Sequence, residues 1–385
     1  MVANFGIGTL AFRLSVFYGA YFAYLGLSLP FMPAWFAARG LEPGEIGIVL
    51  ATPLVVRVLV VPVASRLADR SALRQALFAS AAASVVGFAL VGLCAGFFAI
   101  LAAYALAAAL VAPVLPLGDA YALRGLRDRM GRYGPVRLWG SVSFILANLV
   151  GGVLLARLGA DHVIWAVVAA LALTAAAALA LAPRAPAPAQ AAARPATASL
   201  WRSPAAVAVM AGASLIQASH AVLYGFATLQ WSARGIGGSA IGALWAIGVI
   251  AEVGLFALSG RLGGRLGAPA MIALGGAGGL VRWTVMALDP PTASLPFLQA
   301  LHALSFAATH LGSMQFLARA APEGRNATAQ GDFVALQGIV FAAAMGLAGT
   351  LVAAYGSLAY VAMAAACVAG ALLALAAPRL SWSVP

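Results

Sequence analysis

Charge is what this sequence has least of. Only 8% of its 385 residues are charged, 64% are hydrophobic, and the mean hydropathy is +1.00. Soluble domains carry about 25% charged residues, so a water-soluble globule is excluded. Disorder is excluded with it, because disordered chains are polar. Lysine is missing altogether, since all 22 basic residues are Arg, and they outnumber the acids by 12. In a soluble protein that balance would suggest nucleic acid; in an apolar chain it reads as loops obeying the positive-inside rule. Cysteine is nearly absent. Cys94 and Cys367 both sit in apolar runs, which excludes a disulfide framework and any Cys-based metal motif. There is no His-Glu-x-x-His, no Gly-x-Ser-Gly and no paired aspartates within an apolar run, so the chain does not read as an enzyme. The N-terminus does not read as a cleavable signal peptide, because the apolar stretch after Arg13 runs to Trp35.

Long apolar runs are what is there. Charge, Gly and Pro divide them into twelve predicted helices: 13–37, 46–64, 74–95, 98–123, 137–157, 162–182, 204–232, 239–260, 269–288, 294–318, 331–354 and 357–377. Each suffices for a hydrocarbon core of roughly 30 Å. Seventeen Arg fall at one face, against Arg39, Arg157 and Arg234 at the other, while Arg57 and Arg282 lie within spans. This asymmetry predicts both termini on the cytoplasmic side. Pro183, Pro186, Pro188 and Pro195 forbid a continuous helix between the sixth and seventh spans. The expected organisation is therefore a six-helix bundle over 1–182, a semi-extended cytoplasmic linker over 183–203, and a second six-helix bundle over 204–385.

The halves superpose at an offset of 195 residues. Ala38-Arg39-Gly40 matches Ala233-Arg234-Gly235, Ile46-Gly47 matches Ile241-Gly242, Arg66-Leu67 matches Arg261-Leu262, and Arg70 matches Arg265. Two parallel six-span repeats form a recurring transporter plan, with substrate bound near mid-membrane.

Two motifs carry a family resemblance. Ser65-Arg66-Leu67-Ala68-Asp69-Arg70-Ser71-Ala72-Leu73-Arg74 resembles the major facilitator loop signature Gly-x-Leu-Ala-Asp-Arg-x-Gly-Arg-Arg/Lys, departing at Ser65, Ala72 and Leu73. Tyr133-Gly134-Pro135-Val136-Arg137-Leu138-Trp139-Gly140-Ser141 resembles the start of span five in the phenylpropionate-permease-like group, relatives of lactose permease and nucleoside–proton symporters. Asp119 and the His-bearing span ten fit the same group. The resemblance implies an all-α membrane protein with twelve transmembrane helices in two pseudo-symmetric halves. It further implies alternating access, a bacterial inner-membrane location and proton-coupled uptake of a small organic solute. The proton gradient would be the driving force, with no cofactor or metal. The expected partners are lipid, protons and one small-molecule substrate, with no nucleic acid, and the expected state is a monomer. Drug–proton antiporters of the superfamily often carry Gly-Pro in span five, whereas Gly140 to Gly152 has no proline.

Ionisable groups within spans cost roughly 2.5–3.5 kcal/mol each on insertion scales, so the few that persist mark the candidate site. Arg57 and Glu252 occupy equivalent repeat positions. Arg57 has the planar fork that suits a carboxylate, and Glu252 can carry a proton. Gln217, His220, Tyr224, Thr228 and Trp231 share one face of span seven, and Gln299, His302, Phe306, Thr309 and Ser313 one face of span ten. From these, Gln217, His220, Tyr224, His302 and Phe306 are expected to bind substrate, with Arg57 and the aromatic residues Tyr18 and Tyr21 of span one. His302 is a second proton-carrier candidate. Asp119 and Arg137 can pair, and with Asp69 and Arg70 they are expected to gate. Arg282, nearer a span end, is expected to snorkel to the interface. The favoured reading is a proton symporter of an organic or aromatic carboxylate. The alternatives are a proton-coupled efflux antiporter of an amphipathic compound and a sugar or nucleoside symporter.

Overall fold

A computed structural model describes residues 3–70, 73–126, 133–181, 200–262, 266–321 and 326–380. Every regular element among them is helical. The helices are α1 (Ala3–Ala38), α2 (Pro43–Arg70), α3 (Leu73–Leu93), α4 (Phe97–Val111), α5 (Val114–Gly125), α6 (Tyr133–Leu158) and α7 (Val163–Leu179). Beyond the linker come α8 (Pro204–Ala218), α9 (Ala221–Ala233), α10 (Gly238–Leu262), α11 (Ala268–Ala287), α12 (Leu295–Ala300), α13 (Thr309–Ala320), α14 (Asn326–Tyr355) and α15 (Tyr360–Ala376). Among the described residues, ten stretches are long and apolar enough to cross a membrane. The last, Thr328–Arg379, takes in most of α14 and all of α15, and α12–α13 with its π-helical insert supplies the remaining crossing. Each of the twelve expected spans thus has a helical counterpart, and the protein is an all-α, multi-pass integral membrane protein.

Three expected spans are interrupted. The fourth bends between α4 and α5 at Ala112–Pro113, where proline removes a backbone donor. The seventh breaks at Ser219–His220 without a proline. There the Ser219 hydroxyl donates to the Ile216 carbonyl at 2.6 Å, and His220 Nδ1 lies 3.0 Å from the Gln217 carbonyl. Side chains that occupy preceding carbonyls compete with the helix ladder. The tenth contains a π-helical segment, Ala303–Ala308, a type of insertion frequent at functional sites.

The repeat is visible in the backbone. Gly40 and Gly235, 195 residues apart, have φ of +80° and +79°, a region favourable only to glycine. Each closes its helix with the same bonds: Gly40 N to Ala37 O and Leu41 N to Phe36 O in one copy, Gly235 N to Ser232 O and Ile236 N to Trp231 O in the other. This is the paired bonding of a Schellman C-cap.

The helices pack as two units, one comprising residues 1–190 and 228–246, the other 191–227 and 247–385. In the first, α1 packs on α6 and α7, and α3 on α4 and α7. A Cβ at Gly26 would lie 2.7 Å from the Phe144 carbonyl oxygen, so glycine permits the close α1–α6 approach. Tyr24, Phe88, Tyr104 and Phe36 follow one another edge-to-face at 5.2–5.8 Å in its core. Residues 228–246 join this unit through Thr228, whose hydroxyl donates to the Pro30 carbonyl at 2.6 Å, and through Gly242, packed on the Asn148 backbone. In the second unit, α11 packs on α13 and α15, and α8 on α14 and α15. Large apolar side chains such as Phe12, Leu59, Phe98, Leu173, Phe297 and Leu347 are exposed, as a lipid-facing surface requires. Most of the expected linker, residues 182–199, lies outside the described residues.

Candidate functional site

The second unit gathers its polar side chains at the breaks in spans seven and ten. Arg282, on α11, is 1% exposed. The expectation that it snorkels to the interface is wrong, because polar groups of span ten hold its fork inside. Its Nη2 donates to Gln299 Oε1. Its Nη1 lies 3.3 Å from His302 Nδ1 and 3.4 Å from Ser305 Oγ. Its guanidinium sits 4.6 Å from the centroid of Trp283, a cation–π contact. On the far side of the His302 ring, Nε2 lies 3.5 Å from Glu252 Oε2. Because Nδ1 faces an arginine donor, it must accept, which puts the proton of the neutral ring on Nε2, towards the carboxylate. Arg282, His302 and Glu252 thus form a continuous polar line from α11 across span ten to α10.

The expected substrate residues of this unit surround that line. His220 Nε2 contacts Ser305 Oγ at 3.0 Å, and the His220 ring meets His302 edge-on at 5.2 Å. Gln217 Nε2 donates to the Phe306 carbonyl at 3.2 Å. Phe306 stacks on His302 at 4.9 Å, and His310 on Phe306 at 6.4 Å. Tyr224 is edge-on to His302 at 6.3 Å and stacks on Phe341 of α14 at 6.0 Å. The seventh-span stripe does not stay together: Gln217, His220 and Tyr224 belong to this unit, Thr228 and Trp231 to the first. Trp283 donates to Ser219 Oγ at 2.9 Å, and Ser219 also receives the Cys367 thiol at 3.2 Å. Sequence reasoning missed this node and the centrality of Arg282. The node depends on the turn at Ser219–His220, which no proline or glycine announces.

The first unit holds a separate cluster. Asp119 Oδ1 accepts from Tyr18 Oη at 2.6 Å and Tyr133 Oη at 3.1 Å, and lies 3.8 Å from Arg137 Nε. Arg137 also lies over Phe22 and Tyr18, at 4.2 and 5.1 Å from the ring centroids. The expected Asp119–Arg137 pair is present, and it captures Tyr18, which was expected to face substrate. Tyr21 is buried between Phe22 and Tyr24. Arg57 is exposed on α2. Asp69 and Arg70 end α2, and their side chains lie outside the described residues. A groove of about 690 Å³ between α1 and α6 is lined by Phe12, Val16, Trp139 and Leu146 among others, with no charged residue in its lining.

Residues 11–367 match the model of the MFS_1 like family. A probable 3-phenylpropionic acid transporter of Escherichia coli (strain K12) is 32% identical over 343 residues, covering 86% of each chain. A maltose permease of Geobacillus stearothermophilus is 28% identical over 155 residues, 40% of this chain and 38% of that protein. Among solved structures, the nucleoside transporter NupG superposes with a TM-score of 0.83 at 16% identity, over 97% of this chain and 100% of that one. An inward-facing bacterial homolog of the human lysosomal transporter Spinster does so at 0.75 and 16% identity, over 97% of both.

Proposed function

Given that the chain belongs to the MFS_1 like family of major facilitator transporters, we propose that it is a proton-coupled symporter of small organic carboxylates. It works by alternating access in the bacterial inner membrane, as a monomer with both termini cytoplasmic. The observation that carries this reading is the line Arg282–His302–Glu252. A carboxylate, an imidazole and a guanidinium in contact have no packing rationale in an apolar helix bundle, where each costs free energy. Together they provide a proton acceptor, a relay and a cation. Glu252 carries the proton. His302 Nε2, at 3.5 Å, holds its carboxylate and passes the change in its charge towards Arg282. The aromatic residues around the line, Tyr224, Phe306 and Phe341, offer flat apolar faces to a ring-bearing substrate. The similarity to a probable 3-phenylpropionic acid transporter supports the substrate class.

The test is uptake into liposomes of the purified protein, with the lumen more alkaline than the bath. Benzoate and 3-phenylpropionate are run beside a nucleoside and a sugar. Accumulation of a carboxylate that collapses when the pH gradient is dissipated is the expected result. Accumulation of the neutral solutes alone rejects the substrate class. Carboxylate uptake indifferent to the gradient rejects the coupling, and proton-driven extrusion of an amphipathic compound would make the protein an exporter.

A further inference from the structure

The surroundings of Arg282 are unbalanced in a way that names a ligand. Every atom its fork touches is neutral: Gln299 Oε1, His302 Nδ1 and Ser305 Oγ. No carboxylate among the described residues forms an ion pair with it. A second group in the same place is also short of an acceptor. Gln299 is 3% exposed and spends its oxygen on Arg282, and its Nε2 has no hydrogen-bond partner. A buried cation and a buried unpaired N–H donor, side by side, need a ligand that only accepts. A carboxylate is acceptor-only, carries the compensating charge and fits a guanidinium fork with two parallel bonds.

We propose that Arg282 and Gln299 form the substrate-carboxylate subsite, and that protonation of Glu252 controls its charge. This rests on the symport reading above and adds the anchor, which the repeat position had suggested would be Arg57. The control follows from counting charges along the line. The titratable groups packed around Arg282 are His220 and His302 at the span breaks, Tyr224 of α9, Tyr360 and Cys367 of α15, and Glu252 of α10 beyond His302. His310 of α13 lies farther along span ten, beside Phe256. With the histidines, tyrosines and thiol neutral, Arg282 and ionised Glu252 sum to zero. Protonating Glu252 leaves one positive charge, and the arriving carboxylate restores neutrality. The empty carrier and the carrier holding one proton and one anion are therefore both neutral clusters. Proton alone or anion alone leaves a net charge in a medium that penalises it. Such differential stabilisation is what couples two ligands, and it prevents either from crossing without the other.

Binding to full-length protein in nanodiscs tests this. The probes are 3-phenylpropionate and benzoate, each against its neutral amide, at pH 6 and pH 8. In the wild type, carboxylate affinity rises by about tenfold or more from pH 8 to pH 6, a step of roughly one charge-assisted bond, while amide affinity does not change. Glu252→Gln fixes the neutral state, so it binds the carboxylate at pH 8 as tightly as the wild type does at pH 6. Arg282→Gln loses at least about tenfold in carboxylate affinity and keeps its amide affinity, and Arg57→Gln behaves as wild type. An unchanged carboxylate preference in Arg282→Gln, its loss in Arg57→Gln instead, or a wild-type pH profile in Glu252→Gln would overturn the subsite while leaving carboxylate symport standing. If Arg282→Gln does not fold, the Glu252→Gln profile alone decides. A wild type that takes no carboxylate at either pH removes the symport reading and the subsite together.

Discussion

The Asp119 cluster and the Arg282 cluster each bring an arginine, a carboxylate and tyrosines into an apolar protein, and they differ in what the arginine touches. Arg137 lies 3.8 Å from Asp119, and both side chains are about one third exposed, 30% and 32%. Asp119 also receives two tyrosine hydroxyls. That cluster is complete: every charge has its opposite, and nothing in it calls for a ligand. Arg282 is buried against neutral acceptors, and the carboxylate of its line, Glu252, is held off by an imidazole. On the proposed reading, pairing in one place and separation in the other distinguishes a latch from a site. A closed pair can bias two conformations by forming in one of them. A separated pair leaves room for a proton at one end and an anion at the other.

The sharpest break between the clusters lies in coupling. A gradient of one pH unit is worth about 1.4 kcal/mol, or about tenfold accumulation for one proton. Glu252→Gln is expected to abolish net uptake, because its empty carrier keeps the uncompensated charge of Arg282, while counterflow of labelled against unlabelled substrate persists; a liposome flux assay reads both. Asp119→Asn should do the reverse. It weakens charge-assisted bonds worth about 1.5–3 kcal/mol, which lowers the melting temperature in detergent, yet whatever uptake remains should stay fully proton-driven. Equal loss of coupling in both variants would erase the distinction.

A smaller effect separates packing from polarity in the first unit. Gly26→Val puts side-chain carbon against the Phe144 carbonyl oxygen, 2.7 Å from an ideal Cβ. Overpacking of this kind costs about 1–3 kcal/mol, and thermal unfolding should show it with no change in substrate preference. Tyr18→Phe removes a single 2.6 Å bond to Asp119 and leaves Tyr133 in place. The expected cost is about 1 kcal/mol. Leu59→Ala, on the exposed face of α2, marks the baseline at about 0.5 kcal/mol or less.

Hydropathy, proline placement and the 195-residue repeat were enough to read the helical architecture, because a bilayer demands one long apolar helix per crossing and little else. The repeat also matched Gly40 with Gly235, which the structure shows to close their helices in the same way. Pairing of Asp119 with Arg137 was legible too, since both lie near the ends of spans four and five on the same face. Glu252 and His302 were legible as rare ionisable groups within apolar runs, though not that they touch. Arg282 was misplaced, because its distance from a helix end says nothing about which neighbours turn towards it.

Composition and periodicity by themselves therefore determined that this chain is a multi-pass helical membrane protein, and they named most of the ionisable residues within its spans. The reason is local: cost of burial is a property of each side chain and its span. Which charges meet was decided only in three dimensions. A turn at Ser219–His220 sets His220 against Ser305 and His302, and span ten, where the π-helical segment Ala303–Ala308 begins, sets His302 and Ser305 against Arg282. Both are departures from regular helix geometry, and periodicity cannot anticipate a rotation that arises where its own period fails.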